Sequence, residues 1–176
     1  MTTALLVLIA VMWIPVALLN IGKGEPKGTG AVSALVGVIV VFGAILQAAV
    51  FGDAFTAGLL FAHGILYCCV GYALLTGLED LRSVGNVSLT VALISAIYAL
   101  CFYYGGPVMP DGTRLVAPSM YLAMACVGYT VLTLEVWMAF YGKLNPGVVA
   151  WSLLIWVPIG LWIPAFYLMT AGTLPF

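Results

Sequence analysis

Residues 3–21 read TALLVLIAVMWIPVALLNI, residues 22–28 read GKGEPKG, and residues 30–51 read GAVSALVGVIVVFGAILQAAVF. The two outer pieces contain no Asp, Glu, Lys or Arg, and each matches the roughly 20 residues that a helix needs to cross a hydrocarbon layer about 30 Å thick. All the charge of this region, Lys23, Glu25 and Lys27, is confined to the short turn between them. The same alternation continues along the chain. Apolar runs at about 55–75, 84–104, 116–141 and 147–170 are separated by clusters of Gly, Pro, Asn, Asp and charge. The reading is six membrane spans in one domain covering residues 1–176, with both ends of the fold formed by short turns.

Composition agrees. Of 176 residues, 65% are hydrophobic and 6% charged, where soluble domains carry roughly 25% charge. Five cations and six carboxylates cannot coat a water-soluble particle of this size. A nucleic-acid groove, an acidic disordered tail and a separate soluble domain are all excluded on that ground. The four cysteines form no CxxC pair, and one histidine with scattered carboxylates makes no metal site; cysteine is read as helix packing. The N-terminus lacks a basic segment and Pro15 interrupts its apolar run, so 3–21 is read as a span and not a cleaved leader.

Lys23, Lys27, Arg82 and Lys143 lie in the turns after spans one, three and five, against Arg114 alone in the turns after spans two and four. The positive-inside bias then places the first set in the cytoplasm and both termini outside. Short turns predict three helical hairpins, spans one with two, three with four, and five with six. GKGEP (22–26) and GKLNP (142–146) share a G-K-x-x-P turn, and TGLE (76–79) holds the matching place, suggesting three related units. The alternative is that any helix-ending turn calls for Gly and Pro.

Polar groups inside the spans carry the functional signal. Glu135 lies too deep for a headgroup position and has no cation at i±3 or i±4; it is read either as facing a water-filled vestibule or as reaching the interface or a lysine turn. His63, near the middle of span three, is a candidate pH sensor or polar pore contact, or else a satisfied neutral residue. Gln47 and Asn20 are expected to bond between helices. Tyr103, Tyr104, Tyr141 and Phe176 read as an interfacial belt, while Phe61, Tyr67, Tyr72, Tyr98, Tyr129, Trp156 and Trp162 lie deep and suggest an inward-facing constriction. No catalytic set, phosphate loop, cofactor fingerprint, ion filter or voltage-sensing span is present in the sequence, which leaves passage of something small and uncharged, or a structural role.

The sequence resembles the AmiS/UreI family of bacterial urea and short-chain amide channels, on KGEPKGTG (23–30), Val36-Gly37, Gly58-Leu59-Leu60-Phe61, Leu66-Tyr67, Gly77-Leu78-Glu79, Leu134-Glu135, Gly142-Lys143 and WIPA (162–165). The resemblance implies a twisted bundle of three helical hairpins enclosing a pore in each protomer, a homo-hexamer, and a bacterial inner membrane location. It implies passive passage of urea or acetamide, with no cofactor, through a slot contributed by Phe61, Tyr67, Tyr129, Glu135, Trp156 and Trp162. Leu122, Ala125 and Tyr129 stand where urea-channel members carry tryptophans, and Trp156 where they carry a glutamate. The loop at Gly52-Asp53 is too short for the acid-gating apparatus of some members, which points to the amide-transporter branch. A proton-coupled carrier using Glu135 or His63, and a non-transporting structural subunit, stand as alternatives.

Overall fold

The computed structural model describes every residue from Met1 to Phe176 and contains six membrane-length helices. These are α1 (Thr2–Asn20), α2 (Pro26–Ala49), α3 (Ala54–Thr76), α4 (Arg82–Tyr104), α5 (Met120–Phe140) and α6 (Pro146–Thr170). Their starts follow the capping chemistry. Glu25 accepts the Lys27 and Gly28 N–H groups at 2.6 Å with Pro26 in the first turn, so α2 begins four residues before the apolar run at Gly30. Asp53, Ser119 and Asn145 cap α3, α5 and α6 in the same way. The stretch around Pro118 therefore stays outside α5, which is shorter at its start than its hydropathy suggests.

The three turns at the basic end share one geometry. Gly22, Gly77 and Gly142 adopt φ of 72°, 67° and 67°. The N–H after each reaches back five residues, Lys23 to Leu18, Leu78 to Ala73 and Lys143 to Met138, at 2.8–2.9 Å. This is the left-handed glycine helix stop, and it accounts locally for the repeated turn sequence.

The helices joined at those turns, α1 with α2, α3 with α4 and α5 with α6, touch one another, but the closest packing lies elsewhere. The most closely packed pairs are α2 with α3 and α4 with α5, joined at the opposite end, and α1 lies between α2 and α6. Small residues explain it. A Cβ on Gly37 would stand 2.7 Å from the Cys68 nitrogen, and one on Gly71 would stand 2.5 Å from the Ala34 nitrogen. The α4 face toward α5 is the stripe Ser88, Ala92, Ser95 and Ala99, with the Ser88 hydroxyl donating to the Thr133 carbonyl at 2.8 Å. Gly71→Val is accordingly expected to cost about 1–3 kcal/mol through overpacking, seen as a lowered melting midpoint in detergent; an unchanged midpoint would mean that the α2–α3 approach tolerates a side chain.

The main core joins α1, α2, α3, α5 and α6 around Trp13, Ala17, Val40, Tyr67, Ala150 and Leu161. Gln47 ties the end of α2 to the cap of α3, whereas Asn20 does not bond across helices. The Gln47 amide donates to Asp53 at 2.8 Å and the Asn20 amide to its own helix at Val16, 2.9 Å.

Candidate functional site

Two cavities lie in line along the bundle. One of about 230 Å³ is bounded by the first turns of α1, α3 and α5 and the last turns of α6, including Thr2, Leu6, Thr56, Leu122, Cys126 and Leu168. The other, about 60 Å³, lies toward the basic end among Val16, Val70, Leu132, Val136 and Leu153. Trp13, His63, Tyr67 and Tyr129 line both, so these four rings form the partition between them. They sit roughly 14–20 Å along their helices at about 1.5 Å per residue, near mid-depth.

The rings close on one another. Trp13 meets Tyr129 edge to face at 6.0 Å between centroids, Tyr129 meets His63 at 5.7 Å, and His63 lies 6.1 Å from Tyr67. The Trp13 indole N–H completes the circuit by donating to the Tyr67 hydroxyl at 3.3 Å. Edge-to-face pairs contribute about 0.5–1.5 kcal/mol each beyond burial, so the ring holds itself shut as well as being held by its helices.

Tyr129 is fixed from behind by an irregular stretch of α6. Val157–Trp162 is π-helical, and the Ile163 N–H bonds to the Pro158 carbonyl five residues back. Pro164 has no N–H, so neither Ile159 nor Gly160 can bond to it in a π or an α pattern. Their carbonyls are taken by α5: the Tyr121 hydroxyl donates to Ile159 at 2.5 Å, and the Tyr129 hydroxyl donates to Gly160. The carbonyls that Pro164 releases are thus each engaged by a tyrosine of α5. Gly128 and Gly160 make room for this layer, with the Trp156 indole lying directly on Gly128 and the place of a Gly160 Cβ only 3.1 Å from the Tyr129 ring.

His63 is 6% exposed, and its Nδ1 lies 3.0 Å from the Leu59 carbonyl. A carbonyl only accepts, so Nδ1 carries the proton, and in the neutral imidazole Nε2 then presents a lone pair. Nε2 is buried without a hydrogen-bond partner.

Of the residues singled out in the sequence, Tyr67, Tyr129 and His63 come together at the partition. Trp156 lies one layer behind, on Gly128. Phe61 does not reach the cavities. It is 43% exposed in a shallow outer groove with Ala44, Ala48 and Gly58, because two residues along a helix turn the side chain about 200° from His63. Trp162, 39% exposed, faces away for the same reason, two residues from the cavity-lining Gly160. Glu135 lines neither cavity; it is turned toward α6, where the Ser152 hydroxyl donates to it at 3.0 Å, and the vestibule expected there is lined by Val136 instead. Trp13 was not among the expected site residues. The signal was available, since it is a tryptophan at the centre of an uncharged span whose N–H needs a partner.

A family model described as the AmiS/UreI family transporter matches residues 1–172. The chain belongs to the AmiS/UreI family. Two solved structures share its fold: the Helicobacter pylori urea channel in a closed state by cryo-electron microscopy, and a crystal structure of the urea channel from the same gastric pathogen. The first has a TM-score of 0.78 at 20% identity, covering 99% of this chain and 100% of that one. The second has a TM-score of 0.77 at 20% identity, covering 98% and 99%. No curated protein sequence matches the chain. As a member of a transporter family with six membrane-length apolar helices, it is a multi-pass membrane protein.

Proposed function

We propose that this member of the AmiS/UreI family is a passive channel for urea and small neutral amides, with the two cavities as its path and the Trp13, His63, Tyr67 and Tyr129 ring as its constriction. The observation that carries the reading is the arrangement itself: two in-line cavities separated only by side chains, with no Lys, Arg, Asp or Glu in either lining. Flat, neutral solutes suit such a slot, whereas an ion cannot shed its water there. The family and the fold shared with the urea channel support the same solute class. Tyr67, Tyr129 and His63 contact the solute in this reading, and Trp156 positions Tyr129. Glu135, bonded to Ser152 away from both linings, has no place in the path, which weighs against a proton-coupled carrier built on it. The protein works as a homo-hexamer in the bacterial inner membrane, each protomer with its own path, both termini periplasmic and Lys23, Lys27, Arg82 and Lys143 cytoplasmic.

The loops assigned to the periplasm carry little that titrates between pH 5 and 7.5. Burial opposes the charge of Asp53, but hydrogen bonds from the Thr56 N–H and the Gln47 amide outweigh it and hold the carboxyl below the usual carboxylate range. The Thr113 hydroxyl and N–H do the same for Asp111. A depressed carboxylate stays ionised until pH falls below its ordinary value, so both remain charged across this window. Stopped-flow volume recovery of proteoliposomes with urea, acetamide and glycerol tests the proposal. The expected result is recovery for urea or acetamide well above empty liposomes and above glycerol, at similar rates at pH 5 and 7.5 and unaffected by a proton ionophore. Recovery no faster than empty liposomes for all three would overturn the channel reading.

A further inference from the structure

The polar atoms of the four-ring partition are unequally engaged. Trp13 gives its one proton to Tyr67, and Tyr129 gives its proton to the Gly160 carbonyl. Two functions remain unused. His63 Nε2 is a lone pair with no donor, on a side chain that is 6% exposed. Tyr67, also 6% exposed, accepts from Trp13 while its own O–H proton meets no acceptor. A buried acceptor without a donor is costly and uncommon, and invites an explanation in terms of what visits it. The two groups stand four residues apart on α3, one turn above the other on the same face, with ring centroids 6.1 Å apart, and both border both cavities.

We infer that His63 Nε2 and the Tyr67 hydroxyl form a two-point reader for one edge of a carboxamide. Nε2 accepts a solute N–H and the Tyr67 O–H donates to the solute carbonyl oxygen. Urea and simple primary amides carry a donor and an acceptor side by side on a planar edge, which is the complement of this pair, while Trp13 and Tyr129 take the flat faces. Without the pair, a solute entering the ring loses its water and gains nothing in return. The inference rests on the channel reading and names its specificity residues.

Reconstituted wild type, His63→Leu, His63→Gln and Tyr67→Phe are compared with urea and acetamide. In each stopped-flow trace the initial shrinkage reports water and the later recovery reports the solute. His63→Leu and Tyr67→Phe are expected to slow recovery about tenfold, the effect of one lost hydrogen bond, with shrinkage unchanged. His63→Gln, which keeps an acceptor, is expected to recover within about threefold of wild type. The double variant should be little slower than the worse single one, because each half of the reader is of little use alone. Wild-type recovery rates in both single variants, or a glutamine variant as slow as the leucine one, would overturn the reader while leaving the channel intact. A wild type no faster than empty liposomes would remove the channel reading and this inference together. Tyr67→Phe removes the solute donor together with the acceptor of the Trp13 N–H, so should His63→Leu fail to fold, wild-type recovery in it overturns the reader, and slowed urea and acetamide recovery with glycerol still excluded supports it.

Discussion

Trp13→Ala is expected to raise glycerol permeation about tenfold or more, equivalent to removing at least about 1.4 kcal/mol from the barrier, and to erase much of the preference for amides. Trp13 borders both the 230 Å³ and the 60 Å³ cavity, and its indole closes the ring on two sides, against the Tyr129 edge and on the Tyr67 hydroxyl. Deleting the indole joins the two spaces and leaves a hole that Tyr67 and Tyr129, held on other helices, cannot fill. The same substitution should lower stability by about 3–5 kcal/mol, as for other buried aromatic deletions, so the flux is to be measured on protein shown to elute as the wild type does. Trp13→Phe keeps a ring in place and should leave glycerol excluded. Glycerol permeation unchanged in the alanine variant would place the barrier somewhere other than this partition.

Gly128→Val should strongly damage folding and flux together. The Trp156 indole occupies the place where a Gly128 side chain would begin, and beyond it lie Gly160 and the Tyr129 ring. A valine there displaces Trp156, and with it the α6 segment whose Gly160 carbonyl receives the Tyr129 hydroxyl. Overpacking of about 1–3 kcal/mol and the loss of a buried hydrogen bond of about 1 kcal/mol add in the same direction. Against a total stability of roughly 5–15 kcal/mol, the expected outcome is a large drop in melting midpoint and loss of solute flux together. Combining Gly128→Ala with Trp156→Leu, which trades volume across the contact, should recover most of the midpoint. A valine variant as stable as wild type would show that the α5–α6 layer has slack and that Tyr129 is not positioned through it.

The residues explain why parts of this were legible in the sequence. Hydrocarbon thickness, the near absence of charge and the clustering of Gly, Pro, Asn and Asp are one-dimensional signals, and they place six spans whose ends are displaced most where a cap such as Glu25 or Ser119 overrides hydropathy. The capacity of Tyr67, Tyr129 and His63 to meet at mid-depth follows from their depth in their spans. Phe61 and Trp162 are equally deep, and depth alone cannot separate them from residues two positions away. In a soluble helix the polar face would mark the outside. Here lipid and core are both apolar, so α3 and α5 have no amphipathic stripe from which an inward face could be read.

What the sequence determines by itself is therefore the number and length of the spans, the basic ends of three turns and the near absence of charge at depth, with Glu135 as the exception, because each depends on the energy of single residues in a hydrocarbon layer. Only the tertiary structure decides which aromatic residues face inward, that Trp13 completes their ring, that Glu135 is turned to Ser152, and that the carbonyls released by Pro164 are capped by Tyr121 and Tyr129. Those outcomes depend on how closely one helix approaches another, which glycines such as Gly37, Gly71 and Gly128 set by what they lack, and a missing side chain has its effect only once a second helix is there to occupy the space.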